Sequence, residues 1–482
     1  MRGQSTPPGD SVVEVSERTL HQIQAELSFL RERELQRQSR EQQEVTVVSH
    51  CAADCSANVA CCDTAVCEHA CDSCRMTQCD GMSGHCGCSC HSCCCPLPQA
   101  PCVDCPRVTT ASPYFNVSVF GALKLDMLFN GAGTISPGTP FFLVPDSVRG
   151  LDQNTVSIHA RQSTLGAAFT GPQFGGFQSG GQMIAMFFND NVVADQYGFL
   201  PLQAFGELKN EDWRFAAGLQ FDVFSPGIPT VLPFSALAAS GNSGNSFRGQ
   251  LRLERYFNPS RDVQWTLQGA LSEPVNSTID QRFRINEDNG WPNIEGRVAL
   301  GLGAVQGVGA AAKRPFEIGV SGLVGQLRTT PPAPDPRVVV DVWGACVDLR
   351  WSITQRFGIA GEVFTGEGLG TYNAGILQGI NADTLQGIRT SGGWLEAFYY
   401  WTPCVHSHTG YGIDDPRDSD VADSAVALGR TENSVIFSNL LWDVNSTFRI
   451  GFEFTYRETD YKSPVLLDNQ GAGFHTQFQW AF

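Results

Sequence analysis

The sequence predicts an all-β transmembrane barrel of about sixteen antiparallel strands over residues 113–482, preceded by a short helix and a cysteine-rich linker. Three observations predict it. Apolar and polar residues alternate with period two in segment after segment, as a strand must when one face meets lipid and the other meets water. The links between these segments alternate short and long. The composition, with 50 glycines, 10% aromatic and 17% charged residues, suits strands joined by tight turns better than long soluble helices. A large closed sheet is also one of the few single units that can absorb a chain of 482 residues.

Residues 1–15 carry no periodic pattern and read as a disordered N-terminus. Over 16–44, Leu20, Ile23, Leu27 and Leu30 are spaced 3, 4 and 3 and flanked by Glu, Gln and Arg, a short heptad seam that predicts a coiled-coil helix. Two heptads are marginal alone, so such a helix associates when something else brings the chains together. A lone amphipathic surface helix is the other reading of the same pattern.

Residues 45–112 form the linker and hold 16 of the 18 cysteines, namely Cys51, Cys55, Cys61, Cys62, Cys67, Cys71, Cys74, Cys79, Cys86, Cys88, Cys90, Cys93, Cys94, Cys95, Cys102 and Cys105. With almost no aliphatic residues the segment cannot build an ordinary core and must be stapled. Disulfides are the expected staples in an exported protein, within the chain or to other envelope proteins. A zinc reading rests on the C-x2-C pairs Cys71/Cys74, Cys90/Cys93 and Cys102/Cys105 with His50, His69, His85 and His91 nearby. Adjacent cysteines such as Cys61 and Cys62 fit no standard zinc frame, and no metal or other cofactor is expected.

The predicted strands cover 113–130, 154–171, 178–189, 197–208, 212–224, 245–257, 263–274, 292–305, 314–327, 338–352, 357–369, 391–402, 404–412, 432–444, 446–459 and 471–482. The last shows the alternation most plainly: Phe474, Phe478, Trp480 and Phe482 share one face, His475, Gln477 and Gln479 the other. The next to last repeats it, with Phe448, Ile450, Phe452, Phe454 and Tyr456 opposite Arg449, Glu453, Thr455 and Arg457. The segment from Cys404 to Gly412, with His406 and His408 on one face, is the least regular, and a count of fourteen is the alternative. Short links such as Lys209 to Glu211 and Ile353 to Arg356 interleave with long ones at 131–153, 225–244, 275–291, 370–390 and 413–431. Barrels of the outer membrane turn tightly on the periplasmic side and loop widely outside, which puts both termini in the periplasm. The third external loop, 225–244, is rich in Pro, Gly and Ser, and an inward fold there would narrow the lumen.

Strand parity nominates the lumen side chains: Lys124, Asp126, His159, Arg161, Arg214, Gln220, Asp222, Arg248, Gln250, Arg252, Glu254, Arg297, Arg449 and Arg457. Glu295, Glu317, Glu362, Glu396 and Glu453 share their side. Arg161, Arg214, Arg248 and Arg252 would form a basic ladder beside the third loop, opposite a mostly acidic wall. Such opposed walls set up a transverse field that orients small dipolar or anionic solutes.

Other classes fit poorly. A net charge of −17 argues against nucleic acid as a partner, because binding a polyanion needs a basic patch that displaces counterions. No run of about 18 apolar residues marks a membrane-crossing helix. Nor do residues 1–10 show a basic, then apolar, then small-residue export leader, so the leader of an exported chain is expected upstream or already removed. There is no G-x-S-x-G elbow, and His406, His408 and His475 lack Ser and Asp partners in sequence, so no catalytic residues are expected. Cys346 and Cys404, on separate strands, read as packing thiols.

Ala160, Arg161, Gln162, Ser163, Leu165 and Gly166, followed by Gly171 and Pro172, read ARQS-x-LG and then GP. This resembles the second strand of the trimeric, dicarboxylate-selective outer-membrane porins that carry a periplasmic coiled coil. Ala217, Gly218, Leu219, Gln220 and Phe224 are similar to the segment that precedes their constriction loop. The resemblance implies a passive channel for small hydrophilic solutes, assembled as a homotrimer among membrane lipid and lipopolysaccharide. The cysteine-rich segment departs from that pattern and looks more like porin-type envelope proteins of planctomycetes. It also leaves room for a cross-linked structural coat protein.

Overall fold

A computed structural model describes residues 108–482, apart from 113–114, 149, 151, 190–194, 245, 275–290, 307–312 and 330–337. The predicted helix at 16–44 and the sixteen linker cysteines lie outside the described residues.

In chain order the strands are β1 (Val108–Ser112), β2 (Phe115–Asn130), β3 (Thr155–His159), β4 (Thr164–Phe174), β5 (Phe177–Phe188), β6 (Tyr197–Lys209), β7 (Trp213–Phe221), β8 (Phe247–Ser260) and β9 (Val263–Ser272). They continue as β10 (Asn293–Leu302), β11 (Phe316–Thr329), β12 (Val338–Trp351), β13 (Phe357–Glu367), β14 (Arg389–Thr402), β15 (Val405–Pro416), β16 (Arg430–Asp443), β17 (Phe448–Tyr461) and β18 (Asn469–Ala481). From β4 onward each pairs antiparallel with the next, and β18 closes on β2, with Gly473 opposite Asn130 and Ala481 opposite Ala122. Because β3 and β4 lie end to end along one side of β2, and β1 pairs only with the start of β2, the closed ring has sixteen positions. Closure leaves no open edge among the sixteen ring positions, which is what lets strands cross lipid with no orphaned backbone groups.

The period-two pattern explains which face goes where. Along β2, Leu123, Leu125, Met127 and Phe129 are exposed while Asp126, Leu128 and Asn130 are buried. Along β17, Phe452, Phe454 and Tyr456 point out and Glu453 and Arg457 point in. The outer face is apolar because its solvent is hydrocarbon, so the usual inside-out rule for soluble cores is reversed. Exposed Trp213, Phe257, Trp265, Trp351, Trp401, Trp442 and Trp480 all stand near strand ends on the short-turn rim, an aromatic girdle at one interface. No helix among the described residues is long and apolar enough to cross a membrane.

Most strand ends fall within a few residues of the sequence expectation, and three departures matter for the lumen. The second predicted strand, 154–171, is broken: Asp126 pairs with His159 but Ala122 with Thr164, so four residues on one side face three on the other. Ala160 to Ser163 closes as a turn, Ser163 N–H donating to the Ala160 carbonyl at 3.0 Å, while Ser163 Oγ accepts from Lys124 N–H at 2.9 Å. The extra residue reverses the side-chain phase, which is why Ile158 and Leu165 both point outward. The irregular segment at 404–412 is a full strand, β15, extending to Pro416, so the count is sixteen and not fourteen. The third external loop begins earlier and ends later than expected, running from 222 to 246.

Candidate functional site: the lumen and its crossing loop

The nominated lumen residues lie on the inner side of the ring, and the 222–246 loop enters the same space. Its first half is held by backbone N–H groups that donate to inward carboxylates. Val223 and Phe224 donate to Glu295 Oε2 at 2.7 and 3.2 Å. Gly227 N–H and the Ser225 hydroxyl donate to Glu362 at 3.1 and 2.6 Å. Thr230 gives both N–H and hydroxyl to Glu396 at 2.8 and 3.1 Å, and Leu232 N–H reaches Glu453 at 2.9 Å. These glutamates sit on β10, β13, β14 and β17, so the loop starts at β7 and crosses to the far wall. Asn439 and Gln477 complete the attachment by donating to the carbonyls of Thr230 and Leu232.

The second half is clasped from both sides. Ser235 N–H donates to Thr139 Oγ1 at 2.7 Å in the 131–154 loop, and Ala239 N–H to the Asn373 carbonyl at 2.8 Å in the 368–388 loop. Asn433 Nδ2 bonds the carbonyls of both Phe141 and Ala239. Phe141, Phe142, Ala238, Ala239, Ile376 and Leu377 then pack with Met186, Phe188, Leu200 and Leu202 of the wall in one buried apolar cluster. Ser225, Ala236, Leu237 and Ala239 all take left-handed backbone conformations, with φ between 47° and 65°. Each costs about 1–3 kcal/mol, and such strain persists only where surrounding contacts over-determine the path, as they do here.

The opposite wall carries the predicted basic ladder, and each member has a partner. Arg161 meets Asp195 at 2.8 Å, Arg214 meets Glu207 at 2.6 Å and Glu254 at 2.9 Å, and Arg248 meets Asp222 at 3.0 Å. Arg252 lies 3.5 Å from Glu254 and also bonds Gln250 and the Phe221 carbonyl. Arg297 is held by Asp348 at 2.5 Å and Glu317 at 2.8 Å. Arg248 is fully buried, with its guanidinium 3.8 Å from the Tyr372 ring centre. Gln220 accepts from Arg214, and Gln250 donates to the carbonyls of Gln220 and Phe221, tying the start of the loop to this wall.

A row of imidazoles and carboxylates runs along the inner face of β14, β15 and β16 and on to β18, β2 and β3. His406 Nδ1 is 2.9 Å from His408 Nε2, His408 lies 3.5 Å from Glu396, and His406 lies 3.6 Å from Asp443, which also holds Arg449 at 2.5 Å. His475 bonds Asp126 at 2.9 Å, and His159 bonds the Gly138 carbonyl at 3.0 Å. The fold thus supplies carboxylate neighbours that sequence spacing did not reveal, while none of these imidazoles bonds a serine hydroxyl among the described residues. Nor do three or more His, Cys, Asp or Glu side chains there converge as metal ligands. Arg457, under the loops, donates to the Phe141 carbonyl at 2.8 Å and to Ser240 Oγ. Cys346 is buried among Leu323, Phe364 and Leu369, and Cys404 stands in a short turn; both are free thiols.

Sequence reasoning put the glutamates on the inner face but missed what they hold. It also missed Glu207, Asp348, Arg350 and Tyr372. Parity alone would have found Asp348 and Arg350, which alternate with outward Val347 and Leu349; Tyr372, in a loop, had no such signal.

No family model matches the chain and no curated protein is similar to it in sequence. Among solved structures, the outer membrane channel DcaP of Acinetobacter baumannii superposes with a TM-score of 0.58 at 14% identity, over 77% of this chain and 99% of that one. OmpF of Salmonella typhi, in complex with daunomycin, gives 0.49 at 11% identity over 78% and 100%. OmpT of Vibrio cholerae gives 0.47 at 11% over 78% and 100%. At 14% identity the likeness to the Acinetobacter channel is one of fold: this chain closes as the same kind of barrel.

Proposed function

We propose that the protein is an outer-membrane porin, a passive channel for small hydrophilic solutes, in which lumen charges and the inward third loop set selectivity. The observation that carries this reading is the 222–246 loop itself, led across a polar lumen from Glu295 on β10 to Glu362, Glu396 and Glu453 on the far side. Selectivity in such a pore needs no covalent chemistry, only width and the charges that line it. Anionic, dicarboxylate-like solutes are the proposed preference, on the sequence likeness at Ala160 to Gly166, and a homotrimer is the proposed assembly. The test is planar-bilayer recording of the refolded protein. Discrete conductance steps in threes, blocked by dicarboxylates, are expected; folded protein that inserts and conducts nothing overturns the reading.

A second reading is favoured by the sixteen cysteines of residues 51–105. They would tether the barrel by disulfides to other envelope proteins as part of a coat. Reduction then releases subunits from envelope material, whereas a plain porin trimer stays associated.

A further inference from the structure

Resting on the porin reading, we infer that the anion preference of this channel is set by Lys124 and Arg350, on the short-turn side of the crossing loop, and not by the arginines beside that loop. On the wall from β3 to β10, Arg161, Arg214, Arg248, Arg252 and Arg297 are matched within 3.5 Å by Asp195, Glu207, Glu254, Asp222, Asp348 and Glu317. Five cations against six carboxylates leave no net positive field for a passing anion. Arg457 has no carboxylate within 4.0 Å among the described residues, but it is buried and spends its donors on the Phe141 carbonyl and Ser240, out of a solute's reach.

Lys124 and Arg350 differ on both counts. Each points inward, each is partly exposed, and neither has a carboxylate oxygen within 4.0 Å among the described residues. Lys124, on β2, faces Gln479 across the β18 pairing, and Gln479 faces Arg449 of β17. The carboxylate nearest in sequence, Asp126, is taken by His475 at 2.9 Å and Gln477 at 2.6 Å, with His159 at 3.9 Å. Arg449 is matched by Asp443. Arg350, on β12, faces Glu317 across the β11 pairing and stands two residues from Asp348, and Arg297 holds both of those carboxylates. Its own bonds are one long contact to the Arg314 carbonyl, 3.4 Å, and an approach of 6.0 Å to the Phe398 ring centre.

Both cations lie near the short-turn rim: Arg350 one residue from the end of β12, Lys124 two residues from the end of the β2–β18 pairing. They therefore flank the vestibule that a solute enters after the constriction. An ammonium offers a compact point charge and a guanidinium a planar fork, so the pair suits small carboxylates, phosphates or halides.

The experiment is the reversal potential of the reconstituted full-length channel under a potassium chloride gradient, in wild type and in the double variant Lys124→Gln/Arg350→Gln. Wild type is expected to favour chloride, and the double variant to lose that preference. The charge-retaining Lys124→Arg/Arg350→Lys variant should recover it, which separates charge from packing. Conducting steps with an unchanged reversal potential in the double variant overturn the inference, as does a cation-selective wild type. Absence of any steps from inserted, folded protein instead defeats the porin reading beneath it.

Discussion

Two walls of one barrel carry inward charge in opposite ways. From β7 to β10, arginines and carboxylates of the wall pair with each other, as Arg214 does with Glu207 and Glu254. From β13 to β17 the carboxylates turn to a loop backbone, as Glu396 does to Thr230 and Glu453 to Leu232. The first wall is electrically self-contained. The second is mechanical: its charge is used to hold a segment in place, because an N–H aimed at a carboxylate in a water-poor interior is a strong, directional bond. Side-chain direction alone does not tell these two fates apart.

The comparison breaks most easily at Arg248. Replacing it with alanine leaves Asp222 buried without its partner and should destabilise the barrel by about 3–5 kcal/mol, measured by urea denaturation in detergent. On the other wall, Glu396→Leu should cost about 1–3 kcal/mol for each loop donor left without an acceptor. Hydrogen exchange should show that loss as faster exchange of the Thr230 amide with little change in the strands. Arg214→Gln should cost less than Arg248→Ala, since Lys209, Gln268 and Tyr256 still serve the two carboxylates.

The smallest effect concerns the rim, where Arg389 and Asp420 pair in solvent at 2.6 Å. Hydrogen bonds from the Arg389 guanidinium hold the Asp420 carboxyl down at about 2. A depressed carboxyl contributes stability that is complete above its ordinary value near 3.8 and fades as pH falls through about 2. Protection of residues 417–429 should therefore be flat from neutral pH to about 4 and decline only below it, and Asp420→Asn should remove that decline.

Much of this architecture was legible because a strand has only two faces. Alternation in Phe448 to Arg457 and in Phe474 to Phe482 reports lipid side and lumen side directly, and enough such segments count the ring. The slip at Ala160 to Ser163 was not legible, because both halves alternate correctly and only their relative phase changes. Nor were the partners of the lumen charges. Parity places Glu453 inside, but Leu232, which it holds, is 221 residues away and belongs to a loop with no periodicity. The His406/His408 pair and its carboxylates needed three-dimensional neighbours for the same reason.

The central claim is that the 222–246 loop, fixed by glutamates on the far wall, narrows the channel. The most direct measurement is single-channel conductance of wild type against Glu362→Leu/Glu396→Leu, which removes the middle attachments at Ser225, Gly227 and Thr230. A larger and noisier unit conductance in the variant is the predicted result. Equal conductance, with the variant folded and inserted, would contradict the account.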